Sequence, residues 1–151
     1  MTGVQTCALP ICEADKDFNR LNHFKVEEAG EKVAILALGD FYQRGEQLSA
    51  KIKAELGFTP TLINPRFASG IDKELLESLS ERHQMVITME DGILSGGFGE
   101  KIASFYGSSD MKVKNYGLEK KFYDRYDPNE LLKEVGMTPA QIIADICNQL
   151  K

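Results

Sequence analysis

The residues best suited to chemistry are a run of carboxylates and glycines, Glu90-Asp91-Gly92, followed closely by Ser95-Gly96-Gly97-Phe98-Gly99. Backbone N–H groups at a helix start can hold an anion, and glycine lets the anion come close. The run therefore reads either as a phosphate cradle or as a turn that lets a helix pack tightly on a sheet. A dinucleotide fingerprint beginning at Gly97 needs a third glycine where Ile102 stands, and no Gly-Lys-Ser/Thr phosphate loop occurs. The packing role is the better reading. Glu90 and Asp91 are a candidate acid/base pair, but neighbours on an extended strand end point in opposite directions and share a substrate proton poorly. They are expected to be solvated loop charges. Arg66, in Asn64-Pro65-Arg66, carries a planar fork suited to a carboxylate or phosphate. It is equally suited to pairing with Glu90, Asp91 or a neighbouring domain.

Other reactive side chains are sparse. His23 and His83 are the only histidines, and His83 lies in the polar stretch Ser80–Gln84, where exposure is expected. No Ser/His/Asp or Cys/His arrangement occurs, and no spacing suits a metal. Cys7 and Cys12 lack further ligands nearby, and Cys147 falls near an apolar helix face, where it is expected to be inert. Lys120–Tyr126 mixes basic and aromatic residues as nucleic-acid binders do. With 18 basic against 23 acidic residues, net charge −5, the chain has no cationic excess for phosphates. A packed surface loop or a domain interface is the expected role of that segment. Three cysteines cannot build a disulfide framework, which fits a reducing, cytoplasmic setting. No apolar run approaches the roughly 20 residues that span a bilayer, so neither nucleic acid nor membrane is an expected partner.

These residues need elements to position them. Lys32–Leu38 is a short apolar run ended by Gly39, the length of a buried strand. Phe41, Leu48, Ile52 and Leu56 then share one helical face, and Gly57 stops that helix. Thr59–Ile63 reads as a second strand. Asp72 caps a helix with Leu75, Leu76 and Leu79 inward. Gln84–Met89 reads as a third strand, and the glycine turn opens a helix with Phe98, Ile102 and Phe105 on one side. Met111–Tyr116 alternates like a strand nearer an edge, and His23–Glu28 is a candidate antiparallel edge strand. Asp127–Glu130 and Thr138–Gln141 both read as capping boxes with proline at the first helical position, the second opening a helix with Ile142, Ile143, Ile146 and Leu150 inward. Strand–helix alternation at this spacing predicts an α/β fold: a mostly parallel sheet of four or five strands with helices on both faces. Ligands of such sheets bind beyond the strands' carboxyl ends, here Gly39-Asp40, Asn64–Arg66 and Glu90–Gly92.

The first 12 residues carry no charge, whereas every charged residue lies beyond them. A signal peptide would need a positive n-region, which is absent. Residues 1–11 resemble the translation of a sequencing-library adapter and are expected to be an artefactual leader. Residues 12–30 are expected to hold the end of an interdomain connection and the edge strand, with the domain proper at 31–151. The expectation that follows is a protein continuing upstream.

Three blocks in this order resemble a known family. They are Lys32–Gly39, Leu62–Phe67 with Gly70-Ile71-Asp72, and Val86–Gly92 with Gly96–Gly99. Together they resemble the C-terminal domain of the transketolase-like thiamine diphosphate enzymes. Asn64–Phe67, Met89–Ile93 and the tail from Asn115 through Pro139 resemble the 1-deoxy-D-xylulose-5-phosphate synthase branch. Transketolases and 2-oxoacid dehydrogenase β subunits carry related blocks, and a stand-alone phosphate- or nucleotide-binding module is the remaining alternative. Gly117–Lys120 departs from the Gly-Leu-Pro-Asp of many members, so no family contact is carried onto residues 118–126. The resemblance implies a homodimeric cytoplasmic transferase that joins pyruvate to glyceraldehyde 3-phosphate, releasing carbon dioxide, for isoprenoid and thiamine biosynthesis. It implies thiamine diphosphate and Mg2+ held by upstream domains, with no catalytic, cofactor or metal residue in this chain and no activity of this chain alone. Arg66, Glu90, Asp91, Gly96, Gly97 and Gly99 are expected to face the junction with those domains.

Overall fold

The computed structural model describes residues 23–150. Five strands form one sheet: β1 (Lys25–Glu28), β2 (Lys32–Ala37), β3 (Thr61–Asn64), β4 (His83–Ile93) and β5 (Lys112–Leu118). Their spatial order is β1-β3-β2-β4-β5. Only β1 runs antiparallel, against β3; every other pair is parallel. Five α-helices accompany them, α1 (Tyr42–Leu56), α2 (Lys73–Leu79), α3 (Phe98–Tyr106), α4 (Pro128–Glu134) and α5 (Pro139–Gln149), with a 3-10 turn over Gly39–Phe41 leading into α1.

The period-two alternation of the strands builds two cores. Val33, Ile35 and Ala37 of β2 join Met85, Ile87 and Met89 of β4 on one face, covered by Leu48 and Ile52 of α1 and Ile142, Ile143 and Ile146 of α5. Ala34, Leu36 and Val86 point the other way, against Leu76 and Leu79 of α2 and Phe98, Ile102 and Tyr106 of α3. The central strands are thus apolar on both sides, as buried parallel strands are. Each fully buried Leu or Ile contributes about 1.5–3 kcal/mol over its exposed state.

Local sequence explains most element ends. Gly57 takes φ 75° at the end of α1, a left-handed conformation that glycine adopts without strain. Asp72 caps α2 by accepting from Leu75 N, and the same buried carboxylate accepts from Phe24 N at 2.9 Å. Thr138 and Gln141 form the reciprocal box at α5. At α4 only half of the expected box is present. Asp127 accepts from Asn129 N and Glu130 N, while the Glu130 carboxylate turns to Lys133 at 2.8 Å.

Four further expectations change. The second strand begins at Thr61 rather than Thr59, because the chain meets β2 only from Ala34 opposite Thr61. Tyr106, not Phe105, completes the inner face of α3, since 98, 102 and 106 keep the helical spacing; its hydroxyl donates to Leu76 O at 2.6 Å. The third strand runs on to Ile93, its register with β5 shifting after Met89 and pairing resuming through Ile93 with Leu118. Glu90 and Asp91 therefore lie in a strand rather than a loop. Finally, His83 is half-buried rather than exposed, because β4 begins with it. The expected leader, residues 1–11, lies outside the described residues.

Candidate functional site

Topology directs attention to the crevice between the carboxyl ends of β2 and β4. The chain leaves β2 for β3 on one side and returns to β4 on the other, which is the switch point where open α/β sheets bind ligands. Alternation along β4 then sends its two carboxylates to opposite faces, as the period of two requires. Glu90 turns towards α3, and Asp91 opens into a cleft on the α1 and α5 side.

Glu90 is 5% exposed, which overturns the expectation of a solvated loop charge. Its Oε2 accepts from Phe98 N and its Oε1 from Gly99 N, each at 2.9 Å. Phe98 and Gly99 open α3, and Gly97 before them offers no side-chain cap. Glu90 supplies that cap from the neighbouring strand, placing a negative charge against the helix's positive end. Gly97 makes room for it, and Gly99 makes room for its neighbours Thr88 and Asn115. A Cβ on Gly97 would stand 2.7 Å from both Glu90 carboxylate oxygens, and one on Gly99 would stand 2.6 Å from Thr88 Oγ1. Gly96 sits at φ 76° and donates its N–H to Glu100 at 2.8 Å. The glycine run thus serves a turn and close packing, and the anion it cradles is the chain's own.

Asp91 lines a cleft of about 410 Å³ with Asp40, Arg44, Tyr126, Leu131 and Met137. Arg44 lies over the Phe41 ring at 5.5 Å. The site holds two carboxylates, one guanidinium, a phenol, two amides and an apolar floor, with no serine, threonine, cysteine, lysine or histidine in its lining. Arg66 lines a different hollow with His23, Phe24, Asp72 and Glu74. Its φ is 63°, a strained value for a residue with a Cβ, and its N–H donates to Asn64 Oδ1 at 3.0 Å. Gly96 and Gly97 border a third hollow with Gly70 and Lys101, and Lys101 Nζ donates to Ala68 O at 2.7 Å. The structure therefore distributes Arg66, Asp91 and the Gly96–Gly97 turn over three hollows and brings no two of them into one.

His83 stands at the amino end of β4, away from these loops. The Leu79 carbonyl, 2.9 Å away, can only accept, so Nδ1 carries the proton. Thr61 then donates to Nε2 at 2.7 Å and accepts from Gly30 N at 2.8 Å. Burial lowers the His83 pKa, the Leu79 carbonyl opposes that shift, and Arg82 adds to it. Tyr42 is pushed up to about 12 by burial and by the charges of Glu27, Glu46 and Glu28. Burial also raises Tyr116, whose hydroxyl donates to Asp145 at 2.8 Å.

Among the described residues, no group of three His, Cys, Asp or Glu side chains is placed to hold a metal ion. No helix among them is long and apolar enough to cross a membrane. The cap by Glu90 had one signal in the sequence: a glycine-led helix lacking Ser, Thr, Asp or Asn at its cap. The cleft had less, since Tyr126 reaches it from a distant tail.

Comparison with known proteins agrees with this architecture. Residues 22–142 match the family model for the transketolase C-terminal domain. A 1-deoxy-D-xylulose-5-phosphate synthase of Shouchella clausii is 32% identical over 140 residues, 90% of this chain and 22% of that protein. One of Crocosphaera subtropica is 34% identical over 140 residues, 91% of this chain and 22% of that protein. The chain thus spans about a fifth of the length of these curated relatives. A solved structure described as a split gene transketolase, inactive beta4 tetramer, shares the fold with a TM-score of 0.75 at 24% identity, over 86% of this chain and 43% of that one.

Proposed function

Since the chain belongs to the transketolase C-terminal domain family, we propose that it serves as the C-terminal domain of a 1-deoxy-D-xylulose-5-phosphate synthase. In this reading the parent is a cytoplasmic, homodimeric transferase feeding isoprenoid and thiamine biosynthesis. It condenses pyruvate with glyceraldehyde 3-phosphate and releases carbon dioxide. Residues 31–151 form the domain, and the stretch before them leads in from catalytic domains. Thiamine diphosphate, bound with Mg2+ in those domains, supplies the carbanion chemistry. The residues described here do not fit that group: the one glycine-rich helix start that could cradle a diphosphate is filled by Glu90. The family match over residues 22–142 carries the reading, and the filled helix start is consistent with it. The filled start also weighs against a stand-alone nucleotide-binding module, whose phosphate would have to displace a buried carboxylate. The domain's task is then to pack and to hold shape. Arg66, Asp91 and Gly96 face the junction, and Glu90, Gly97 and Gly99 set the turn's form.

The test is an assay with pyruvate, glyceraldehyde 3-phosphate, thiamine diphosphate and Mg2+. The 151-residue chain alone gives no product, and its co-expression with the upstream region of the Shouchella clausii relative yields turnover. Product from the chain alone rejects the proposal. Calorimetry against nucleotides gives no heat of binding; a saturable signal favours the module instead.

A further inference from the structure

We infer that the segment Glu119–Tyr126 is a docking loop that seats Phe122 in an apolar, carboxylate-rimmed socket on the upstream part of the parent enzyme. This rests on the reading above and names a contact within it. The loop joins β5 to α4 and is held by its own side chains. The Tyr123 hydroxyl accepts from Glu119 N at 3.1 Å and donates to Glu119 O at 3.3 Å. Lys121 bonds Glu134 at 2.8 Å and lies 5.1 Å from the Tyr123 ring centre. Tyr123 and Tyr126 meet edge to face at 6.2 Å. Each contact is exposed and weak, but together they set one shape, which lowers the entropy lost on binding.

That shape turns Phe122 outward, with 105% relative exposure. Among the described residues the large exposed apolar side chains are Val26, Ile93, Phe122 and Tyr126. Val26 is on the far edge strand, whereas Ile93 pairs with Leu118 immediately before the loop. Three of the four thus belong to one corner, at the carboxyl ends of β4 and β5. Clustered exposed apolar side chains rimmed by polar groups mark interaction surfaces, and aromatic and arginine side chains are enriched among the residues that anchor them. Lys121 has carboxylate partners, but Lys120 and Arg125 have none within ion-pair distance among the described residues. Two free cations beside Phe122 call for carboxylates at the rim of its socket.

The occupant follows by charge and by length. A polyanion or an anionic membrane needs more than two free cations, and the whole chain is at −5. A second copy meeting this corner symmetrically would set Lys120 and Arg125 against their own images. The relatives, by contrast, carry about four-fifths of their length outside the matched domain.

The chain is co-expressed with the upstream region of the Shouchella clausii relative, and association is measured by titration. Phe122→Ala is expected to weaken association at least about tenfold while leaving the melting temperature of the chain alone unchanged. Lys120→Glu with Arg125→Glu is expected to weaken it at low salt, with the difference shrinking near about 0.5 M. Association and turnover that survive Phe122→Ala overturn this inference alone. Failure of the wild-type chain to associate overturns both this and the proposed function. Phe122-dependent binding to phosphatidylglycerol vesicles or single-stranded RNA, or Phe122-dependent self-association, also overturns it.

Discussion

Glu90 brings a charge to a place where few carboxylates go, and both its oxygens are answered by backbone N–H groups at a helix start. Removing it strands two buried donors. Glu90→Ala is therefore expected to cost about 2–3 kcal/mol in urea unfolding, and Glu90→Gln, which keeps one good acceptor, about half as much. The pair Glu90 and Asp91 shows what can be read at this scale and what cannot. Their divergence followed from strand geometry alone. Their difference in burial did not, because it depends on α3 lying over one face of β4 and an open cleft lying over the other. Gly97 and Gly99 were legible as packing glycines, yet the partners they make room for, Glu90 for the first and Thr88 and Asn115 for the second, stand in other elements. The left-handed backbone of Arg66, set beside Asn64, has no signature in its residue type.

Elements were more readable than residues, because helix caps and hydrophobic period act locally. Asp72 and Thr138 cap as their spacing implies, and Gly57 ends α1. The length of β4 was not readable. Two charges and a glycine after Met89 look like a loop until β5 pairs with Ile93. His83 failed for the same reason: its polar neighbours suggested solvent, while Thr61 and Leu79 converge on its ring from two other elements. Its lowered pKa gives a pH dependence of definite sign. Below about 6.5 the unfolded chain gains a proton that the folded ring resists. The stability contributed by the neutral ring is thus complete above that value and is lost as pH falls through the folded pKa. Thermal melts of the wild type should fall across that window. His83→Gln should cost about 1 kcal/mol at pH 8, and its deficit should narrow as the buffer is acidified.

For the molecule as a whole, strand order divides the sheet into a stable middle and softer margins. β2 and β4 have partners on both sides and cores on both faces. Their amides are expected to exchange with deuterium last, with β1 and the 119–127 loop first; early exchange of β2 would contradict this order. The strand–helix rhythm made the parallel sheet legible, but strand order depends on which face each crossover takes, and no single residue reports it. Both margins of the sheet are studded with charge, by Lys25, Glu27 and Glu28 on one side and Lys112 and Lys114 on the other. Charged side chains on an outer strand discourage a foreign strand from adding to it. The slab is therefore guarded against growing sideways strand by strand, as a floor is laid plank to plank, and its strand ends and helical layers are the surfaces left for neighbours.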